Sequence, residues 1–135
     1  MFKIDHIGIA VNSLSSAVPL YAAMLGENPA GEETVPAEGV NVVFFGHGSG
    51  RIELLEPIDG GGPVARFLEH RGPGLHHVCL SVEDIRGTLE RLADSRIFPI
   101  APGLRPGAGG ASVAFLHPRD TGGVLLELSE AARGP

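Results

Sequence analysis

Ile4-Asp5-His6-Ile7-Gly8-Ile9-Ala10-Val11 reads as a β-strand at the head of the chain, and Leu75-His76-His77-Val78-Cys79-Leu80-Ser81-Val82 repeats its pattern. Each copy has a histidine near its start and a polar-capped helical pattern after it. Each is answered later by a strand that carries a carboxylate. These are Arg51-Ile52-Glu53-Leu54-Leu55 in the first half and Leu125-Leu126-Glu127-Leu128 in the second. Along the chain, 71 residues separate His6 from His77, and 74 separate Glu53 from Glu127. Two histidines and two glutamates at matching places in two half-chains point to a duplicated unit with one ligand set between the halves.

Strand alternation fixes which face each residue takes. Ile7, Ile9 and Val11 share one face of the first strand, suited to packing on a helix. His6, Gly8 and Ala10 share the other, where small residues around one imidazole would form a cavity wall. In the second copy His77, Cys79 and Ser81 share a face, and Val78, Leu80 and Val82 the other. By this parity His76 points to the opposite face or lies before the strand. Glu53 shares its face with Arg51 and Leu55, and Glu127 with Leu125 and Ser129.

Between these anchors the chain reads as follows. Asn12 and Ser13 are natural caps for a helix over 15–25, with Pro19 expected in its first turn. A weak strand is expected over 32–35, and a firm one over 40–45. The Gly46–Gly50 turn leads to a strand over 51–56, and Pro63–His70 is a short helix. In the second half a helix runs to about Ala93. It is followed by a short strand over 97–100, a Gly/Pro loop over 102–110, a strand over 111–117 and a last strand over 124–128. Each half is therefore βαβββ, spanning about 1–58 and about 74–130 of one domain, 1–135. The expected class is α+β. Two tandem modules would form a curved mixed sheet that encloses a metal-centred cavity.

Composition excludes other classes. The chain has 135 residues and a net charge of −6, with no basic run to neutralise phosphates, so no nucleic-acid surface is expected. No apolar window reaches membrane-spanning length, so no membrane partner is expected. Met1-Phe2-Lys3-Ile4 enters a strand at once, without a secretion signal, and Cys79 is alone; both fit a reducing cytoplasm.

An ionised carboxylate at a buried strand position costs several kcal/mol unless it is paired or metal-bound. Two such carboxylates and two imidazoles can offset that cost together by binding a divalent cation. Two nitrogen and two oxygen donors from His6, Glu53, His77 and Glu127 suit Co²⁺, Mn²⁺, Ni²⁺ or Zn²⁺. Four protein ligands would leave two octahedral positions for a chelating substrate. A plainer account makes these satisfied strand histidines and sheet-edge glutamates. It covers any one of the four but covers four repeat-related positions poorly.

The residues also carry a resemblance. Asp5–Val11, Ile52-Glu53-Leu54-Leu55-Glu56-Pro57, Pro63–Leu68, Gly74–His77, and Val113–Pro118 leading into Thr121–Leu128 resemble the methylmalonyl-CoA epimerases of the vicinal oxygen chelate superfamily, nearly end to end. The resemblance implies that fold, the metal ligands His6, His77 and Glu127, and Glu53 at a position that is Gln in some relatives. It implies a divalent metal, Co²⁺ first, an acyl-CoA substrate and a homodimer. The implied reaction epimerises (2R)/(2S)-methylmalonyl-CoA by 1,1-proton transfer through an enolate. Two acid/base groups are then needed on opposite faces of one carbon. Glu127 is the first candidate, and Glu53, placed across the metal, is the second. Some relatives carry a further glutamate on the strand near position 42, where this chain has Val42, and Glu38 reads as a solvated loop residue. Gly107, Gly109 and Gly110 are expected to bring backbone N–H groups to the substrate. Arg105 and Arg119 read as surface arginines that could meet CoA phosphates. A glyoxalase I-like lyase of the same superfamily is the runner-up. A two-His-one-carboxylate dioxygenase and a non-enzymatic small-molecule-binding protein of this fold stand behind it.

Overall fold

The computed structural model describes residues 1–133. Eight strands form one mixed sheet in the order β2-β3-β4-β1-β5-β8-β7-β6. They are β1 (Phe2–Ala10), β2 (Gly31–Val35), β3 (Val40–Phe45), β4 (Arg51–Pro57), β5 (Gly74–Val82), β6 (Arg105–Pro106), β7 (Ser112–Leu116) and β8 (Leu126–Glu130). The helices are α1 (Leu14–Leu25), α2 (Pro63–Arg71), α3 (Ile85–Asp94) and the short α4 (Pro118–Thr121). Within each half the first strand pairs parallel with the last, β1 with β4 and β5 with β8. The halves join where β1 runs antiparallel to β5. The sheet curls into a half-barrel until its two ends meet. There Glu33 on β2 accepts the Gly109 N–H from the turn after β6, at 2.9 and 3.1 Å. This is the curved mixed sheet of two tandem modules that the duplicated pattern implies.

The expected parity decides the layers. Ile9, Val11, Val43, Phe45, Ile52 and Leu54 pack on α1 through Leu14, Val18 and Tyr21. Leu80, Leu126 and Leu128 pack on α3 through Ile85, Leu89 and Leu92. The opposite, concave face holds Ala10, Val40, Val42 and Leu55 against Val64 of α2. The side chains of His6, Glu53, His77 and Glu127 are buried there.

Three local readings need correction. Ile97–Ile100 is not a strand: the Ile97 N–H is drawn back to Leu92 O, Pro99 has no donor, and only Ile100 N–H reaches β7, at Phe115 O. The strand in that place is the two-residue β6. Pro19 lies inside α1 beyond its first turn. Both Pro19 and Ser15 are exposed, so the carbonyl that proline leaves unbonded faces solvent. The last strand runs on past Leu128, because Ser129 and Glu130 pair with Val113 and Ser112.

The cap of α1 is also not the expected one. Ser13 makes no side-chain capping bond. Instead the Leu14 N–H donates to Glu56 Oε2 at 2.6 Å, from the end of β4. The second half repeats the device: the Ile85 N–H at the start of α3 donates to Glu130 Oε1 at 3.0 Å, from the end of β8. A carboxylate at a helix N-terminus satisfies a free donor and meets the positive end of the dipole. Glu56→Ala is expected to lower stability by about 1 kcal/mol, and the melting temperature by about 4 °C. Thermal unfolding followed by circular dichroism checks this; an unchanged melting temperature would discount the cap.

Candidate metal centre

β1 and β5 present the two histidines to each other across the central seam. His6 pairs in register with Cys79, and His77 with Gly8. A Cβ at residue 8 would lie 2.2 Å from His77 Cε1, so only glycine leaves room for that ring. His6 Nε2 and His77 Nε2 are 3.0 Å apart. Glu127 Oε1, delivered from β8, lies 3.2 Å from the first and 2.9 Å from the second. All three side chains are buried.

The donor set fits a metal ion. With metal–ligand bonds of about 2.1 Å, neighbouring ligands sit about 3.0 Å apart in an octahedron and about 3.4 Å in a tetrahedron. The edges of this triangle, 2.9, 3.0 and 3.2 Å, are those of one octahedral face. Glu53 is not brought into the triangle. Its Oε2 lies on the other side of the His6 ring, 3.2 Å from Nδ1, and accepts from Arg51 at 3.1 Å.

The charge balance around His6 calls for a cation. Burial opposes charge on this ring. Hydrogen bonds to Asp5, Cys79 and Glu127 and the charge of Glu53 outweigh it, and the imidazole is carried up to about 12. Burial likewise works against charge on Glu127, but hydrogen bonds from His6 and His77 and their charges hold it down at about 2. The same anionic surroundings that favour a proton on His6 favour a cation beside it.

Residues 5–115 match the glyoxalase/bleomycin resistance protein/dioxygenase superfamily. The chain is 37% identical to human mitochondrial methylmalonyl-CoA epimerase over 130 residues, 96% of this chain and 74% of the other. It is 38% identical to the ethylmalonyl-CoA/methylmalonyl-CoA epimerase of Cereibacter sphaeroides over 130 residues, 95% and 97% of the two chains. The chain belongs to the methylmalonyl-CoA epimerase family. A variant of Streptomyces coelicolor methylmalonyl-CoA epimerase, solved in complex with 2-nitronate-propionyl-CoA, superposes with a TM-score of 0.91 at 30% identity and covers 98% of each chain.

The metal triangle lies in a cavity of about 520 Å³ on the concave face, a volume suited to the acyl end of a substrate. Four residues of its wall escape a sequence reading. Asp5 and His76 violate strand alternation. Glu38, expected in solvent, lines the cavity from the turn between β2 and β3. Arg105, expected on the surface, lines it from β6, with its guanidinium 5.1 Å from the Phe115 ring and its Nε buried without a partner. Burial pushes the Glu38 carboxyl up to about 8, helped by the charges of Glu127 and Glu53 and opposed by Arg105. The only available signal was the Pro36-Ala37-Glu38-Gly39 turn feeding a buried strand. Arg119 is exposed. Of the three candidate glycines, Gly109 lines the cavity, but its N–H is already taken by Glu33. Gly107 bonds Ala111 O, and a Cβ there would meet Val113 Cγ1 at 2.6 Å; it serves packing.

Gly8→Ala is expected to displace the His77 ring and lose most of the bound metal while the sheet still forms. Elemental analysis beside circular dichroism checks this, and full metal content would refute it. Because metal must replace the His6 proton, apparent affinity is expected to fall about tenfold per pH unit on acidification for each proton displaced. Titration with Co²⁺ at pH 6 and pH 8 in a weakly buffered indicator solution measures both the affinity and the protons released.

Proposed function

We propose that this chain epimerises the carbon between thioester and carboxylate in methylmalonyl-CoA, with His6, His77 and Glu127 holding a divalent cation. The observation that carries the reading is the octahedral face of donors in the wall of the concave cavity. The family similarity and the epimerases named above support the substrate. Glu53, whose Oε2 lies at the Nδ1 side of His6 and accepts from Arg51, stays outside this ligand set. Co²⁺ suits two imidazole nitrogens and a carboxylate oxygen, with Mn²⁺, Ni²⁺ and Zn²⁺ as alternatives. When bound, the cation supplies Lewis-acid stabilisation of the negative charge that develops on the substrate oxygens.

The chain's own groups move the proton. The α-proton leaves on one face and a proton returns on the other, so two carboxyl groups must face each other across the bound substrate. Glu127 is one. Glu38 is assigned as the other in preference to Glu53. Glu53 is held by Arg51 and stands beside His6, whereas Glu38 reaches the cavity from the other end of the first module. Their environments push Glu127 and Glu38 in opposite directions, down to about 2 and up to about 8, as befits a base and an acid working at one carbon. The Arg105 guanidinium supplies positive charge for the anionic substrate.

No helix among the described residues is long and apolar enough to cross a membrane. A cytoplasmic enzyme fits the chain. A homodimer would cover exposed apolar residues such as Leu20 and Met24 on α1.

The test is to incubate the Co²⁺-loaded protein with each epimer of methylmalonyl-CoA in deuterated water. α-Proton exchange with racemisation is expected from both epimers. Absence of exchange would sink the proposal, and turnover of the methylglyoxal–glutathione adduct instead would establish the glyoxalase I-like reading. Glu38→Gln is expected to cut kcat by at least about a hundredfold with metal content unchanged. A variant that keeps its kcat would return the role to Glu53.

A further inference from the structure

The antiparallel seam between β1 and β5 contains two β-bulges. Register passes from Ile4↔Leu80 to His6↔Cys79, so Asp5 is an extra residue on β1. It passes from Gly8↔His77 to Ile9↔Leu75, so His76 is an extra residue on β5. Each extra residue immediately precedes a metal-facing histidine, and the two lie 71 residues apart, as His6 and His77 do. Regular alternation would turn Asp5 and His76 toward the helices. The bulges turn both into the cavity wall instead.

There each residue bonds the rear nitrogen of the histidine that follows it. Asp5 Oδ2 is 2.7 Å from His6 Nδ1, and His76 Nδ1 is 2.9 Å from His77 Nδ1. In both rings Nε2 is the nitrogen that faces the metal triangle. Each partner is itself fixed. Arg51 donates to Asp5 Oδ2 at 2.9 Å, and the Phe67 ring packs edge-on against His76 at 5.0 Å.

We infer that Asp5 and His76 are paired positioning residues, set into the seam by repeat-related bulges to hold each ligand imidazole with Nδ1 as donor and Nε2 bare toward the metal. The inference rests on the metal reading above. An imidazole that gives Nε2 to a cation keeps its proton on Nδ1, and a fixed acceptor there sets ring orientation and raises donor strength. For His77, the short contact requires a bare Nδ1 on His76, which places that ring's own proton on Nε2. The two histidines differ in consequence. His6 is backed by an anion and His77 by an imidazole, which makes His6 the stronger donor.

The experiment uses the full chain. In Zn²⁺-loaded protein with ¹⁵N-labelled histidine, the His6 and His77 Nδ1–H protons are expected to be visible and slow to exchange. Asp5→Asn is expected to weaken Co²⁺ binding about 10- to 100-fold in chelator competition. It should also shift the visible absorption of the bound Co²⁺ while the melting temperature of the metal-free protein stays within a few degrees. His76→Phe, which keeps a ring against Phe67, is expected to act in the same direction with a smaller effect. Rapid exchange of both Nδ1–H protons, or Co²⁺ affinity and spectrum unchanged in both variants, overturns the inference and leaves the metal centre standing. Failure of the unaltered chain to bind any divalent metal overturns both.

Discussion

The pairing of β1 with β5 is the contact on which the rest of the molecule depends. Neither half has a site alone: each supplies one imidazole and one carboxylate, and only the seam brings the Nε2 atoms to 3.0 Å. Each half also supplies the room for the other's ring. Gly8 lies opposite His77 and Cys79 opposite His6. A one-residue slip at this seam would turn one half's ligands to the helix face while the other's stayed in the cavity. The two bulges fall on opposite strands and cancel, so register is kept across the seam while two extra side chains enter the cavity.

That seam gathers more negative charge than a buried site tolerates alone. Asp5, Glu53 and Glu127 surround His6, and Arg51 answers only the first two. The excess raises the His6 imidazole, and a divalent cation at the triangle would answer it more fully. Burial is what makes the demand strong, because water cannot screen these charges. The same burial pushes the Glu38 carboxyl up at one end of the cavity, while hydrogen bonds from His6 and His77 hold Glu127 down in the triangle.

The sequence made the sheet, the helices α1 and α3 and the cavity-facing His6, Glu53, His77 and Glu127 legible because all of them follow period. Apolar alternation runs unbroken from Ile7 to Val11 and from His77 to Val82, and the carboxylates stand out on apolar strands. What escaped depends on exceptions to period. His76 was assigned to the wrong face because a bulge is one inserted residue with no side-chain signature of its own. Asp5 was read as part of a motif rather than as a partner for the same reason. Glu38 escaped because a turn residue's direction is set by how the sheet curls, which no local pattern records. Ile97–Ile100 looked like a strand by composition, yet its hydrogen bonds go to the end of α3.

The helix caps show why the duplicated unit keeps its spacing. Glu56 follows the cavity-facing Glu53 by three residues, and Glu130 follows Glu127 by three. An odd step along a strand changes face, so a residue three beyond a cavity ligand must emerge toward the helices. Each carboxylate strand thus delivers one carboxylate to a ring nitrogen of His6 in the cavity and a second to the first N–H of its module's helix. Leu14 and Ile85, the capped residues, each stand eight residues beyond the ligand histidine of their own half. First strand, helix start and last strand are therefore tied into one closed loop of covalent and hydrogen bonds in each module. A shift of helix α1 or α3 would pull on Glu56 or Glu130, and through the same strand on Glu53 or Glu127. The cavity carboxylates thus share their strands with the bonds that seat the helices.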